Sequence, residues 1–413
     1  MKYLIIGNGV AGIQAAETLR EIDTTSTIIM VSKENTIPYS RPLISYIVSG
    51  ELEDREIFIR PEDYYEKLKI ETYLGKTVRN VDVENRKVFL ESGESIGWDR
   101  LLIATGADPR VMKVDGSDLG NIFFLRNLDD AVNIVKSCDS GARKAIVLGG
   151  GLVGFKAAYG LLKRGIDVSI LITSPYPLSQ VADTRSGQLI RKTLEDYGLA
   201  VEVGKSVKAF EGRDGKVCGA LLNDGQRVDC DLVVVGKGVD PAISFLKDSG
   251  VNINRGILVD ENLRSSVPDI YAAGDVAEAP DIVWRDNRVN AIWPVAAEQG
   301  RVAAYNMLGI ERRYQGSLGR NVIRIFDLDF MAGGIINPPD EDRYEVLSVY
   351  NEKEKKYKKL VFEEDRLVGM VLVNCVEQGG VLLNLIAQRR NLSSRKKELL
   401  DREDYYSMLR SYR

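Results

Sequence analysis

The chain has 413 residues, of which 44% are hydrophobic and 28% charged, with a formal net charge of -4. That length supports two or three domains with substantial cores, and the near balance of charge argues against a general nucleic-acid binder or a protein held to anionic membranes. Met1 runs straight into an apolar stretch with no room for a signal peptide, and no apolar run has membrane-spanning length, so a cytoplasmic protein is expected.

The sequence contains no histidine, which removes the usual general base, the usual metal ligand and the usual partner of a nucleophilic serine or cysteine. The four cysteines, Cys138, Cys218, Cys230 and Cys375, are far apart in sequence and lack ligand spacing; they read as buried thiols, and no metal centre is expected. Chemistry borne by a cofactor suits such a chain.

In chain order, an apolar run from Tyr3 leads into Gly7-x-Gly9-x-x-Gly12, and Ile13 to Arg20 reads as a helix. Gly7 permits a tight turn, Gly9 lets a pyrophosphate approach the backbone, and Gly12 lets helix pack closely on strand, with the helix N-terminus facing the phosphates. A second apolar run, Thr27 to Val31, is followed by Glu34, about 22 residues past Gly12 and so placed for an adenosine ribose. Next come a turn-rich loop, Thr36 to Pro42, a helical stretch, Leu43 to Val48, and two short strands near Val78 to Val83 and Lys87 to Glu91. Trp98 to Ala107 is a buried strand ending in the small-residue turn Ala104-Thr105-Gly106.

The pattern then repeats about 140 residues on. After Asn121 to Leu125, Lys144 starts a strand that enters Gly149-Gly-Gly151-x-x-Gly154, with a helix from Phe155 to Arg164 and a second strand from Asp167 to Ile172. Two bound dinucleotides are the direct reading; a second fold that has lost its ligand is the alternative. Two strands occupy Val201 to Val228, and Asp231 to Pro241 is a buried strand ending in a turn at Gly238. Gly256 to Asp260 is a further short strand, and an apolar strand from Val267 ends in Gly274-Asp275. A carboxylate there is costly to bury without donors, and a polyol hydroxyl is a good partner. Trp293 precedes a helix that opens near Pro294 and runs to Leu308.

From Tyr314 the composition changes. Strands are expected at Asn321 to Phe326, Glu345 to Tyr350, Lys358 to Glu363 and Leu367 to Asn374, with helices from Gly380 to Arg389 and from Ser394 to about Arg410. The fold class is α/β: two Rossmann-like dinucleotide-binding domains, residues 1–112 with 244–313 and residues 113–243, followed by a C-terminal α+β domain, 314–413.

These motifs together resemble the pyridine-nucleotide-dependent FAD oxidoreductases of the two-dinucleotide-domain type. Pro38-Tyr-Ser-Arg-Pro42 and the form of the third domain resemble rubredoxin reductases, ferredoxin reductases and the flavoprotein part of NAD(P)H nitrite reductases. The resemblance implies FAD at the first site, with Gly7, Gly9 and Gly12 on its pyrophosphate and Glu34 on its ribose. Arg41, Pro42, Ala104, Thr105 and Gly106 would border it, Gly274 and Asp275 would meet the ribityl chain, and Trp293 the pyrimidine edge. For Arg41 a solvated charge and for Trp293 a core role stay open. At the second site the resemblance implies NAD(P), with Gly149, Gly151, Gly154, Lys156, Thr173 and Gly238.

Three departures qualify it. Tyr39 to Ser49 contains no cysteine, unlike the disulfide reductases and peroxidases of the superfamily. Tyr46 and Lys156 stand where many relatives carry a lysine and a glutamate that pair beside the flavin; Lys156 reads either as a phosphate ligand or as a solvated helix-face charge. Ile172, followed by Thr173 and Ser174, replaces the acid expected after the second fold's second strand, which weakens selection for NADH. No arginine follows to take a 2'-phosphate, which leaves a slight preference for NAD(H) over NADP(H).

The implied activity is transfer of a hydride at flavin N5 and of single electrons between NAD(P)H and a separate iron-sulfur carrier of ferredoxin or rubredoxin type. Lys353 to Lys359 and Arg389 to Lys397 are candidate docking runs for such an acidic partner, against the plain reading of solvated faces. An NAD(P)H oxidase or diaphorase that reduces oxygen or quinones, and a flavoprotein subunit of a larger redox complex, remain alternatives. A homodimer is also compatible.

Overall fold

The computed structural model describes residues 1–401; part of the helix expected from Ser394 to about Arg410 falls beyond them, and Lys396–Asp401 is the helix described. The chain divides into two compact units: Met1–Arg41 with Arg55–Asp108 and Val239–Ser317, and Pro42–Asp54 with Pro109–Gly238 and Leu318–Arg413.

In the first unit, five parallel strands lie in the order Ile270–Ala272, Arg100–Ile103, Lys2–Ile6, Thr27–Ser32 and Ile70–Leu74. Leu4, Ile5, Ile28, Met30, Leu101 and Leu102 are wholly buried. A parallel sheet covered on both faces is why these strands are continuous apolar runs without alternation. The helix Val10–Ile22 carries the chain from the first strand to the second. Along it lies the helix Trp293–Met307, with proline in its first turn. A Cβ on Gly300 would fall 2.2 Å from the Ala11 carbonyl oxygen, so glycine is what lets these two backbones meet. A three-stranded antiparallel sheet, Val78–Asp82, Lys87–Leu90 and Ser95–Gly97, completes the repeat-forming part of this unit.

The second unit repeats the plan. Its five parallel strands run in the order Ala200–Val203, Asp167–Ile172, Lys144–Leu148, Leu232–Val235 and Ile122–Phe124. Val207–Arg213, Lys216–Leu222 and Arg227–Asp229 form its three-stranded antiparallel sheet. Four strands thus occupy the region read from sequence as two, because short polar turns at Gly204, Gly215 and Gly225, all with positive φ, cut it more finely. The repeat extends to single hydrogen bonds. Gly7 N–H donates to Val31 O at 2.7 Å and Gly149 N–H to Leu171 O at 2.9 Å. Lys76 N–H donates to Ser32 O at 2.9 Å, and Lys205 N–H to Ile172 O at 3.1 Å.

The helix Ile44–Ser49 groups with the second unit, although the sequence division kept 42–54 within residues 1–112. Arg164 is one reason, since its guanidinium donates to Val48 O at 2.5 Å and to Ile47 O at 3.2 Å. The same unit contains the C-terminal antiparallel sheet, ordered Arg320–Ile325, Leu328–Gly334, Arg366–Val373, Lys356–Glu363 and Tyr344–Asn351, with the helix Gly379–Gln388 packed on it. Leu328–Gly334 is absent from the sequence reading. It ends in Ala-Gly-Gly, residues that favour strands poorly, and it is held by partners on both sides.

The lysine run Lys353 to Lys359 is not a uniformly solvated face. Lys358 and Lys359 are each only 8% exposed; the Lys359 ammonium pairs with Asp183 at 3.2 Å, and Lys358 Nζ donates to Leu399 O at 3.4 Å. Among the described residues no helix is long and apolar enough to cross a membrane.

Candidate functional site

Both glycine turns sit at the C-terminal end of their first strand, where neighbouring strands leave on opposite sides and a ligand crevice forms. Gly7 has φ +112°, and a Cβ there would lie 2.2 Å from Ala104 O; Gly149 has φ +115°, with the same 2.2 Å to Gly236 O. Only glycine fits a position that is both left-handed and pressed on a neighbouring backbone. Gly12 and Gly154 meet the carbonyl oxygens of Gly7 and Gly149 at 2.0 and 2.2 Å from a notional Cβ, which sets helix against turn.

The middle glycines differ in kind. A Cβ on Gly9 or on Gly151 would have nothing within 4 Å, so that side of each turn faces open space. Each is also the N-cap of its helix, and neither helix has a side-chain cap. Uncapped N–H donors beside an open backbone at the positive end of a helix dipole are what a pyrophosphate needs. Both turns fit that group.

Around the first turn the structure gathers most of the expected residues. Glu34 accepts from the Tyr39 hydroxyl at 2.5 Å and from the Arg41 guanidinium at 2.6 Å. Burial works against the Arg41 charge, but the nearby Tyr39, Glu34 and Asp275 outweigh it and hold its pKa above the ordinary guanidinium value. Asp275 therefore lies within electrostatic reach of Arg41. Gly274 N–H donates to Gln299 Oε1 at 2.8 Å, and a Cβ on Gly274 would stand 3.2 Å from that of Ala11. The Gly274-Asp275 turn is thus pinned between the two long helices of this unit. Half-buried Trp293 opens the second of them, after Ile292, which provides no side-chain cap.

Three further expected residues, Thr105, Gly106 and Pro42, make contacts within the protein. The Thr105 hydroxyl donates to Ala242 O at 2.9 Å, and Gly106 O accepts from Ala242 N–H at 3.0 Å, so this turn anchors the returning chain. Pro42 belongs with the second unit, where its carbonyl accepts from Lys156 Nζ at 3.3 Å.

Around the second turn, Lys156 lies over the Tyr46 ring, 5.7 Å from its centroid, and burial depresses its pKa. Gly238 has φ +94°, matching Gly106 at +71° in the first fold. Thr173 is exposed. Strand register aligns the ends of the two second strands. Val31 pairs with Ile6 as Leu171 pairs with Leu148, so Ile172 is level with Ser32 and Ser174 with Glu34. The Ser174 hydroxyl donates to Tyr176 O at 2.9 Å.

Sequence reasoning missed Asn8, Ser32, Tyr39 and Gln299. Tyr39 was readable, being a hydroxyl five positions past the acid in a loop that must fold back on it; Gln299 needed the packing of two helices distant in sequence. The cysteines are free; Cys138 and Cys230 are buried as expected, but Cys218 and Cys375 are only partly buried. The fold does bring two of them together, since Cys230 N–H donates to Cys218 O at 3.3 Å. Burial first, then Asp231 and Cys218, push the Cys230 thiol up to about 12, which leaves too little thiolate for redox exchange.

Two glycine turns of this kind in one chain define a protein with two dinucleotide-binding folds. Residues 1–300 match the family described as pyridine nucleotide-disulphide oxidoreductase, and residues 320–390 match the rubredoxin NAD+ reductase C-terminal domain. The chain belongs to the pyridine nucleotide-disulphide oxidoreductase family, whose cofactors are FAD and a pyridine nucleotide.

It is 30% identical over 398 residues to the nitrite reductase [NAD(P)H] of Bacillus subtilis (strain 168), covering 96% of this chain and 48% of that protein. The chain therefore spans about half the length of that relative. It is 32% identical over 397 residues to the NADH-dependent phenylglyoxylate dehydrogenase subunit epsilon of Aromatoleum evansii, covering 95% and 93% of the two chains. The crystal structure of NADH:rubredoxin oxidoreductase from Clostridium acetobutylicum superposes with a TM-score of 0.77 at 27% identity, covering 95% of this chain and 96% of that one.

Proposed function

We propose that this protein is an FAD-dependent NAD(P)H oxidoreductase that moves electrons between a pyridine nucleotide and a separate iron-sulfur carrier of rubredoxin or ferredoxin type. The observation that carries the reading is the pair of repeat-related glycine turns, each open at its middle glycine and each leading into a helix without a side-chain cap. When bound, FAD supplies the chemistry, taking a hydride from the nicotinamide and releasing electrons one at a time.

The chain's own residues bind and orient. Gly7, Gly9 and Gly12 present N–H groups to the FAD pyrophosphate, Glu34 takes the ribose and Asp275 the ribityl hydroxyls. Arg41 offsets the charge of both carboxylates, in keeping with its electrostatic contact to each. The N-terminus of the helix Trp293–Met307 would offer partial positive charge to the flavin's pyrimidine edge. Gly149, Gly151, Gly154 and Lys156 hold the pyridine nucleotide, with Thr173 and Gly238 at its margins.

Within this reading NADH is the preferred nucleotide. Lys205, whose backbone adjoins Ile172, has its ammonium paired with Asp224, which supports that preference. The absence of cysteine from Tyr39 to Ser49 supports an external acceptor over an internal disulfide. The rubredoxin reductase form of residues 320–390 supports the class of that acceptor.

A second reading, a flavoprotein subunit that works only within a larger complex, is favoured by the end-to-end likeness to a dehydrogenase subunit epsilon. One experiment separates the two. The purified holoprotein is mixed anaerobically with NADH, and separately with NADPH, in a stopped-flow instrument, and rubredoxin or ferredoxin is then added. Rapid bleaching by NADH, followed by reoxidation by the carrier, is expected. A flavin that neither nucleotide bleaches would overturn the first reading and favour the subunit.

A further inference from the structure

The internal repeat isolates one difference between the two glycine turns. Between its first two glycines the first turn carries Asn8, where the second carries Gly150. Asn8 is only 8% exposed. Its amide nitrogen donates to Thr36 O at 2.9 Å and to the Tyr65 hydroxyl at 3.3 Å, while its Oδ1 accepts from Ser32 Oγ at 2.9 Å. Ser32 Oγ in turn accepts from Glu34 N–H at 3.2 Å. Further along the loop, Tyr39 and Arg41 hold one carboxylate oxygen of Glu34 each, with the guanidinium 5.2 Å from the centre of the Tyr39 ring.

The second fold is joined differently. Gly150 lies against Ile172, and a Cβ on it would fall 2.7 Å from Ile172 Cγ2. One backbone bond, Leu178 N–H to Gly150 O at 2.8 Å, ties the loop to the turn. The Ser174 hydroxyl, level with Glu34, is spent on Tyr176 O.

We infer that Asn8, Ser32 and Tyr39 are positioning residues that preset the Glu34 carboxylate for the adenosine ribose and thereby make the first dinucleotide a resident one and the second an exchanging one. This rests on the reading that the first fold holds FAD. With one donor on each oxygen, the Glu34 carboxylate keeps a second lone pair on each for the two ribose hydroxyls. A carboxylate already fixed in orientation loses little freedom on binding, and the gain is read mainly in slower release. A fold without such a network lets its nucleotide leave between turnovers.

The test uses the full chain stripped of flavin and compares wild type with Tyr39→Phe and Ser32→Ala. FAD affinity is followed by quenching of flavin fluorescence, release by its recovery on dilution, and ADP affinity by calorimetry. Each variant is expected to weaken FAD by about tenfold or more and to weaken ADP, which contains the same ribose, by a similar factor. Release of FAD should quicken, while NADH affinity at the second fold and the melting temperature of the apoprotein stay close to wild type. If Ser32→Ala lowers the melting temperature, Ser32→Thr, which restores the hydroxyl, should recover FAD affinity. Unaltered FAD and ADP affinities in both variants would overturn the inference, as would a loss for FAD with none for ADP or failure of the threonine rescue. A wild-type apoprotein that binds no FAD would instead refute the reading beneath it.

Discussion

The hydroxyl of Tyr357, in the C-terminal sheet, donates to the buried carboxylate of Asp183 at 2.7 Å. Asp183 is also the N-cap of the helix Thr184–Asp196, accepting from Ser186 N–H at 3.0 Å, and it pairs with the Lys359 ammonium. One carboxylate therefore caps a helix of the second dinucleotide fold and receives two side chains from the sheet. Removing it would leave the Lys359 charge buried without its counter-ion, which costs roughly 3–5 kcal/mol for a buried pair. Asp183→Ala should lower stability by about that much in urea titrations, and Tyr357→Phe by about 1.5–3 kcal/mol, as for a hydrogen bond to a charged group.

The pH dependence follows. Burial alone would raise the Asp183 pKa, but Tyr357, Ser186 and Lys359 overcome it and hold the group below the ordinary carboxylate range. A depressed carboxylate gives stability that is fully present above its unfolded value, near 4, and lost as pH falls through the lower folded value. The stability gap between wild type and Asp183→Asn should therefore be constant from pH 6 to 8 and narrow in acid below about pH 4. A gap that widens in acid would contradict the assignment.

The glycine turns make a sharper prediction, because the roles of their members separate. Gly149→Val combines a left-handed backbone with a contact of 2.2 Å to Gly236 O, so it should cripple folding of that unit. At Gly151 an added Cβ would meet nothing within 4 Å, so Gly151→Val should fold normally. Its side chain would, however, occupy the open face assigned to the pyrophosphate. Circular dichroism and thermal melting should match wild type for Gly151→Val, while NADH affinity falls by about a hundredfold or more, the loss of a few hydrogen bonds to a charged group. An unchanged affinity would sink the second-site assignment.

What was legible in the sequence is what is local. Gly7 to Gly12 and Gly149 to Gly154 announce their turns because strand, turn and helix follow within a dozen residues, whereas the order of the strands in the two parallel sheets came only from the structure. The fate of Lys359 was not legible, since its partner Asp183 is remote in the chain and a lysine-rich run looks solvated wherever it occurs. The level of Ser174 with Glu34 required strand register, which residue spacing gives only to within a residue or two. Leu328–Gly334 escaped because its strand character comes from two neighbouring strands and not from its own residues.

Lys156 offers a test of burial on the second fold. Desolvation lowers its pKa, so in the window between the depressed folded value and the ordinary lysine value the unfolded chain binds more protons than the folded one. Stability must then rise with pH across that window, as the penalty for a charged, partly buried lysine disappears. Lys156→Met removes the group and its titration. Its stability advantage over wild type should shrink as pH rises toward the ordinary lysine value. A parallel course of the two stability curves would mean that the ammonium is fully hydrated.

The last prediction separates docking from folding on the second basic run, Arg389 to Lys397. Lys396 pairs with both Glu345 and Asp365, the latter at 2.5 Å, and lies 5.3 Å from the centre of the Phe362 ring. Its ammonium joins the described C-terminal helix to the sheet. Arg389 similarly reaches Glu363 at 3.2 Å, a carboxylate that Arg343 also meets. These charges are committed within the domain, so reversing one should act first on stability. Lys396→Glu would set three carboxylates together and should cost about 1–3 kcal/mol, read as a lower melting temperature. Loss of the reaction with an acidic carrier should then track unfolding and vanish when rates are normalised to folded protein. A Lys396→Glu variant of wild-type stability that fails only with the protein acceptor would restore this run as a docking face.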